Sequence, residues 1–465
     1  MARVAENNNR LCGHSYDSVL LDLIDKYAQT RKPIIVDFRK LVRLTDYPER
    51  ATHLIHPYPA KLLVHIPNFF LSNTILSEPG QTVFDPFCGS GTVLLESILM
   101  GREAIGTDVN PMAVLISRVK TNAVVLAELS KSYYRLIRRI PYVSNSQLPD
   151  VVNIDYWFFD QVKYQLLCLL EAIKKTRNQV FRDFFFICFS NCVRQVSLAD
   201  PRISVPVRLR EDQYQPEHWL YEKTKARLES LRHIDVLGVF DRIVKTNVKR
   251  IAHLNSIKQG EIKAKAVLYD IRMATRMQYR CELLDDHIKQ ESIQLVITSP
   301  PYASAQKYIR SSSLSLGWLE MCRADELRHY DMATIGREHF HKVTYMKCPT
   351  TDITAADTLL ADVHTVNPLR ACIAGTYLSE MRIALQRVEA LLKHGGYIVL
   401  VIGNSHICGR EFDTVGYIRS ILEELNLKPI LLLIDDIRSR GLMTKRNKTA
   451  GMITREWVLV YQKRG

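Results

Sequence analysis

Two stretches far apart in the chain carry residue types suited to chemistry. The first is Asp85-Pro86-Phe87-Cys88-Gly89-Ser90-Gly91-Thr92, which follows the apolar run Thr82 to Phe84. A buried strand that ends on an acid, turns through small residues and opens a helix at Thr92 makes a nucleotide-type cradle at the carboxyl edge of a parallel sheet. Gly89 and Gly91 can take positive φ and carry no Cβ, so a ligand can lie against bare backbone. No G-K-[ST] follows, so this is not a phosphate loop. The acid at the strand end suits an ammonium group better than an anion. The second stretch, Ser299-Pro300-Pro301-Tyr302, follows the apolar residues Leu295 to Ile297 and sets a hydroxyl, two rigid prolines and an aromatic ring in one turn.

Between them, Ala104-Ile105-Gly106-Thr107-Asp108 reads as another short strand ending on an acid, with Asn110-Pro111 opening the next helix. An acid about 20 residues beyond a Gly-rich turn is placed to accept two ribose hydroxyls. On its own the pair fits an ordinary βαβ unit with a solvated Asp equally well.

Taken together, D-P-F-x-G-S-G-T and S-P-P-Y resemble the S-adenosylmethionine-dependent DNA methyltransferases that modify exocyclic amino groups. Within that group S-P-P-Y is most typical of the cytosine-N4 enzymes. The resemblance covers most of the chain outside residues 122–262. It implies S-adenosyl-L-methionine as cofactor, with Asp85 on its ammonium, Asp108 on its ribose, and Phe87, Gly89, Gly91, Thr92 and Asn110 around it. Tyr58 and Lys61, in a Y-P-A-K segment, belong beside the methionine end in this family, and Asp270 near the adenine.

The same resemblance gives Ser299, Pro300, Pro301 and Tyr302 the catalytic role. An aromatic amine is a poor nucleophile because its lone pair is delocalised into the ring. Two acceptors on its N–H groups, the Ser299 hydroxyl and the Pro300 carbonyl, can tilt the nitrogen toward sp³ and aim the lone pair. The prolines hold that geometry in advance, and Tyr302 can stack on a flipped base. A cytosine-C5 mechanism needs a cysteine nucleophile, and Pro300-Pro301 stands where its Pro-Cys turn would be. N4-methylcytosine is the expected product. N6-methyladenine is the alternative, because S-P-P-Y is commoner in enzymes whose catalytic half comes first. An RNA amino-methyltransferase and a DNA-binding regulator that keeps the fold are the other readings.

Strand-helix alternation around these motifs predicts an α/β fold: a Rossmann-like, seven-stranded, mostly parallel sheet with one antiparallel strand and a largely helical inserted domain. Residues 1–121 are expected to form an N-terminal segment and the cofactor-binding half, 122–262 an inserted domain for DNA target recognition, and 263–465 the catalytic half. Within the insertion, helices are expected over 123–140, 161–175 and 180–196, followed by a loop-rich piece with Arg208 and Arg210. Residues 37–44 read as a strand or arm. A basic loop with Arg440, Lys445, Arg446 and Lys448 joins the last two strands, and the four expected DNA contacts there add to Arg208 and Arg210.

The 465 residues carry a formal net charge of +14, which favours a polyanionic partner, here double-stranded DNA. A cognate restriction endonuclease is the companion that a restriction-modification setting would supply. No apolar stretch reaches the ~20 residues of a membrane span. Ten cysteines without a C-x-x-C pair indicate neither a metal site nor a disulfide framework. A reduced prokaryotic cytoplasm, with the protein at the nucleoid, is the expected compartment.

Overall fold

The computed structural model describes residues 16–44, 47, 49–140, 147–258, 260–273, 288–303, 307–437 and 454–465. Arg440, Lys445, Arg446 and Lys448 lie outside them.

Ten strands occur among the described residues: β1 (Ile34–Ile35), β2 (Thr82–Asp85), β3 (Glu103–Asp108), β4 (Ala264–Leu268), β5 (Ile293–Thr298), β6 (Leu392–Ile402), β7 (Ser405–Ile407), β8 (Arg410–Phe412), β9 (Leu427–Asp436) and β10 (Arg455–Lys463). β7 and β8 form a separate hairpin. The other eight build one sheet in the order β1-β9-β10-β6-β5-β2-β3-β4. Only β10 runs antiparallel to its neighbours, β6 and β9. The sheet has eight strands rather than seven because Ile34–Ile35 adds a two-residue strand beside β9. A pair of isoleucines is too short to carry a readable period. The stretch 37–44 is not a strand: Asp37 caps a single helical turn, accepting from Lys40 N at 3.3 Å.

β2 lies between β3 and β5, pairing Phe84 with Ile105 on one side and with Val296 on the other. The order therefore reverses beside β2, where loops on the two sides diverge and leave a crevice at the carboxyl ends. Val83, Phe84, Leu295, Val296 and Ile297 are buried, as strands covered on both faces must be.

Helices cover the two faces. Those used below are α1 (Thr92–Leu99), α2 (Pro111–Thr121), α3 (Asp160–Lys174), α4 (Gln179–Val196), α5 (Tyr221–Arg232), α6 (Val236–Ile257), α7 (Tyr308–Trp318) and α8 (Pro368–Leu391). α2 starts as its sequence indicates, with the Asn110 side chain accepting from Met112 N and Pro111 at the first position. Residues 122–262 are helical over α3, α4, α5 and α6. The apolar faces of α3, α4 and α6 share one core with α2 and α7: Leu166, Phe185, Phe189 and Phe240 pack in a cluster with Met112, Ile116 and Trp318. Phe184, Phe185, Cys188 and Cys192 are buried there, as core residues.

Candidate functional site

Asp85 ends β2, and only 3% of it is exposed. Its Oδ1 accepts from Thr298 Oγ1 at 2.6 Å and from Phe87 N at 3.1 Å. Burial pushes its carboxyl up to about 7, against the pull of those two hydrogen bonds. An acid held this close to neutrality is prepared for a cationic partner, whose charge would restore the carboxylate.

Asp108 ends the neighbouring β3 and organises the glycine turn. Gly89 N donates to its Oδ2 at 2.9 Å and Asn110 N to its Oδ1 at 2.8 Å. Burial again dominates and raises this acid to about 6, although the backbone donors oppose it. The turn needs both glycines, for different reasons. Gly89 (φ +47°) faces Tyr58, whose ring would lie 3.4 Å from an added Cβ. Gly91 (φ +71°) caps α1 and faces the other way: its Cβ would meet Ser117 Oγ at 2.7 Å. Gly91 thus allows α1 and α2 to approach, and it lines neither of the cavities described next. Thr92 is the first residue of α1.

Two adjoining cavities open along this edge. One is lined by Asp108, Val109, Asn110, Tyr269, Asp270, Ile271, Pro301, Tyr308 and residues 333–335. The other is lined by Lys61, Asp85, Ser90 and Thr92. Tyr58, Ala60, Phe87, Gly89 and Ser299 line both. Tyr58 is set by Asn110, whose Nδ2 approaches its hydroxyl at 3.4 Å, and by Tyr308, whose ring stacks at 6.3 Å and 26°. The first cavity offers an acceptor for hydroxyls and an apolar slot between Tyr308, Ile271 and Ile335. The second offers an acid and a lysine together. A ligand with a flat ring, a diol and an amino-acid zwitterion matches this set of groups in that order.

Three expected site residues sit differently from a simple ligand contact. Lys61 Nζ donates to the carbonyls of His56 at 2.7 Å and His53 at 3.2 Å, so it also pins the turn before it. Burial lowers this lysine to about 8. Asp270 is a wall residue whose carboxylate is committed: both oxygens accept from Arg272, at 2.9 Å (Nε) and 2.5 Å (Nη2). Arg272 in turn meets Glu380 of α8 at 2.7 Å. Tyr302 lines neither cavity, and its hydroxyl lies 3.4 Å from Glu456 Oε1 on β10. Pro300 is buried, while Pro301 lines the first cavity.

Among the expected DNA contacts, Arg208 lies over the ring of Tyr156 at 4.6 Å and donates to its carbonyl. Arg210 is exposed, 3.6 Å from Asp212.

Beneath the cradle lies a polar network that the motifs did not announce. Glu96 of α1, fully buried, accepts from His53 Nε2 at 2.8 Å, Asn68 Nδ2 at 2.7 Å and Arg50 Nε at 3.3 Å. Burial alone would raise it, yet Arg50 and His53 hold it down at about 2. Thr298, Tyr308 and residues 333–335 also shape the site without belonging to either motif. Thr298 was discoverable, as the hydroxyl directly before Ser299. The segment 333–336 has no periodicity to find, although Gly336 (φ +80°) is required because a Cβ would stand 2.9 Å from the Tyr302 carbonyl.

A parallel sheet reversing beside β2, with acids closing β2 and β3 and an S-P-P-Y turn closing β5, is the architecture of a Rossmann-like methyltransferase fold. A family model described as DNA methylase, of the N6/N4 type, matches residues 44–118. Over 319 residues the chain is 28% identical to Type II methyltransferase M.MvaI of Kocuria varians, covering 66% of this chain and 65% of that protein. Over 85 residues it is 36% identical to Type II methyltransferase M.MjaII of Methanocaldococcus jannaschii, covering 18% and 16%. The chain thus spans less than two thirds of the length of either relative. Among solved structures, the rRNA methyltransferase aviRa of Streptomyces viridochromogenes overlaps at 13% identity and a TM-score of 0.33, over 92% of this chain and 96% of that one. The sequence similarities are thus to DNA amino-methyltransferases of the N6/N4 type. No helix among the described residues is long and apolar enough to cross a membrane, and none of their His, Cys, Asp and Glu groupings could hold a metal.

Proposed function

We propose that the protein methylates the exocyclic N4 of cytosine in double-stranded DNA, as the modification enzyme of a Type II restriction-modification system. The observation that carries this reading is the adjacency of Ser299 and Asp85. They close neighbouring strands, and both line one cavity.

S-adenosylmethionine is the cofactor, and when bound it supplies an electrophilic methyl group on a sulfonium. Asp85 and Lys61 suit its ammonium and carboxylate, Asp108 its ribose hydroxyls, and the slot beside Tyr308 and Ile271 its adenine. Asp85 gains its charge as the ammonium arrives, because burial keeps the free acid close to neutral. Ser299 Oγ and the Pro300 carbonyl accept the two N–H groups of the amine and turn its lone pair outward. The paired prolines fix those acceptors before the base enters, so orientation is prepaid. After transfer the nitrogen sheds a proton readily, so no strong base is required.

Adenine N6 presents the same two N–H groups and would fit the same acceptors. Transfer of a labelled methyl group to duplex DNA, single-stranded DNA and RNA tests the substrate class. Wild-type protein is expected to label the duplex, and Ser299→Ala to lower turnover far more than cofactor affinity. Labelling of RNA alone would overturn the reading.

A further inference from the structure

The end of the helical layer carries an exposed aromatic cluster that the reaction chemistry leaves unused. Trp219 is 68% exposed, unusual for the largest apolar side chain. It continues a stack in which the Tyr214 and His218 rings lie 4.6 Å apart at 21°, and the His218 and Trp219 rings 6.1 Å apart at 24°. Cations sit on both ends of this stack. Lys223 Nζ is 5.0 Å from the Trp219 centroid, and the Arg202 guanidinium is 5.7 Å from that of Tyr214.

Its position in the fold follows from the direction of α4. The first turns of α4, at Val180, Asp183 and Phe184, line a cleft with Arg118 and Thr121 at the far end of α2. Its later turns meet the opposite end: Ser190 Oγ bonds His56 Nε2 at 2.8 Å and approaches Met112 Sδ, two residues past Asn110. α4 therefore runs from the far edge of the sheet to the cofactor edge, and the chain after Val196 leaves on the carboxyl-end side of the sheet. The segment 214–220 is tied to that end, since Leu228 and Leu231 of α5 pack with Leu198 and Leu209.

Bulk charge does not mark this face, since seven Lys and Arg from Asp200 to Arg232 offset six Asp and Glu. The distinguishing feature is the pairing of rings with cations. A ring presents a π-face to a nucleobase, and an adjacent cation meets the phosphate beside it. We infer that Trp219, backed by His218 and Tyr214, stacks on a DNA base next to the target site, while Lys223 holds the flanking phosphate and Arg202, paired with Asp200, fixes the Tyr214 end of the stack. The inference rests on the proposed function and adds a specific contact surface for its DNA.

The test measures affinity for a plasmid duplex that the wild type methylates, across a salt series, alongside calorimetric cofactor binding. Trp219→Ala is expected to weaken DNA binding about fivefold or more, the factor for loss of ~1 kcal/mol of stacking. Its salt slope should stay unchanged, and Trp219→Phe should recover most of the loss. Lys223→Gln should instead flatten the slope by about one unit. Cofactor affinity should hold in all three variants. Unchanged DNA affinity in Trp219→Ala, with the wild type still methylating duplex DNA, would overturn the inference alone. A change confined to self-association would do the same and mark a protein-protein surface. A wild type that binds no duplex would defeat the proposed function and this surface with it.

Discussion

Thr298 Oγ1 donates to Asp85 Oδ1 at 2.6 Å, across the pair of strands that ends in the two motifs. The bond joins the residue before the S-P-P-Y turn to the acid that begins the glycine cradle. Cofactor pocket and amine acceptors are therefore set in one frame, because neither strand end can shift without the other.

Thr298→Val keeps the shape and removes that donor. The Asp85 carboxyl, already at about 7, then rises further because a hydrogen bond that favours its charge is lost. Cofactor binding is expected to weaken by about 1–3 kcal/mol at pH 7. Its pH midpoint should move upward, as read by calorimetry between pH 6 and 9.

Asp85 itself has a stability consequence of defined sign. Its folded value, about 7, stands above its ordinary 3.8, so ionisation is penalised only in the folded state. The penalty is absent below pH 3.8, grows up to about 7 and is complete above that. Asp85→Asn is therefore expected to raise the melting temperature of the ligand-free protein at pH 8 while abolishing cofactor binding. No gain at pH 8, or a gain only at pH 4, would count against a carboxyl whose ionisation is opposed chiefly by burial.

Gly91→Ala should destabilise the fold by roughly 1–3 kcal/mol, from a positive φ and from overpacking against Ser117. Combining it with Ser117→Gly should return part of that loss, which denaturant unfolding would measure. Gly91→Ala that loses cofactor affinity at full stability would instead make Gly91 a ligand contact.

Glu96→Gln leaves the buried Arg50 without its countercharge. Breaking a buried pair by removing one partner costs about 3–5 kcal/mol, and the loss should appear as a lowered unfolding midpoint with Ser299 chemistry otherwise intact. An unchanged midpoint would mean that the network contributes no stability.

Residues in sequence showed most of the cradle because its constraints are local. A strand ending on an acid, then glycines, then a helix start, needs only about ten consecutive residues to be legible, and Asp85 and Asp108 each line one of the two cavities. The last strand pairs antiparallel as its position at the end of the chain suggested. What stayed hidden depends on long-range contacts. Glu96 carries no signal in sequence, because its partners Arg50, His53 and Asn68 come from segments well before α1. Asp270 lines the cavity, but its pairing with Arg272 through both oxygens has no signal in sequence. Tyr302 reads as a stacking ring, yet its hydroxyl turns toward Glu456, some 154 residues later.

That last contact separates two roles for Tyr302. If its ring captures the base, Tyr302→Phe should leave turnover within a few-fold, while Tyr302→Ala loses stacking worth about 1–3 kcal/mol. If the hydroxyl contact with Glu456 holds the turn, Phe and Ala should fall together. Single-turnover rates for the two variants distinguish these.

The most direct test of the account is the identity of the product. Duplex DNA reacted with isotope-labelled S-adenosylmethionine, digested to nucleosides and analysed by mass spectrometry, should contain N4-methylcytosine, and Ser299→Ala should nearly abolish it. N6-methyladenine in its place would keep the chemistry and change the base. Label in 5-methylcytosine would contradict the account outright, because Pro300-Pro301 offers no nucleophile to attack the ring.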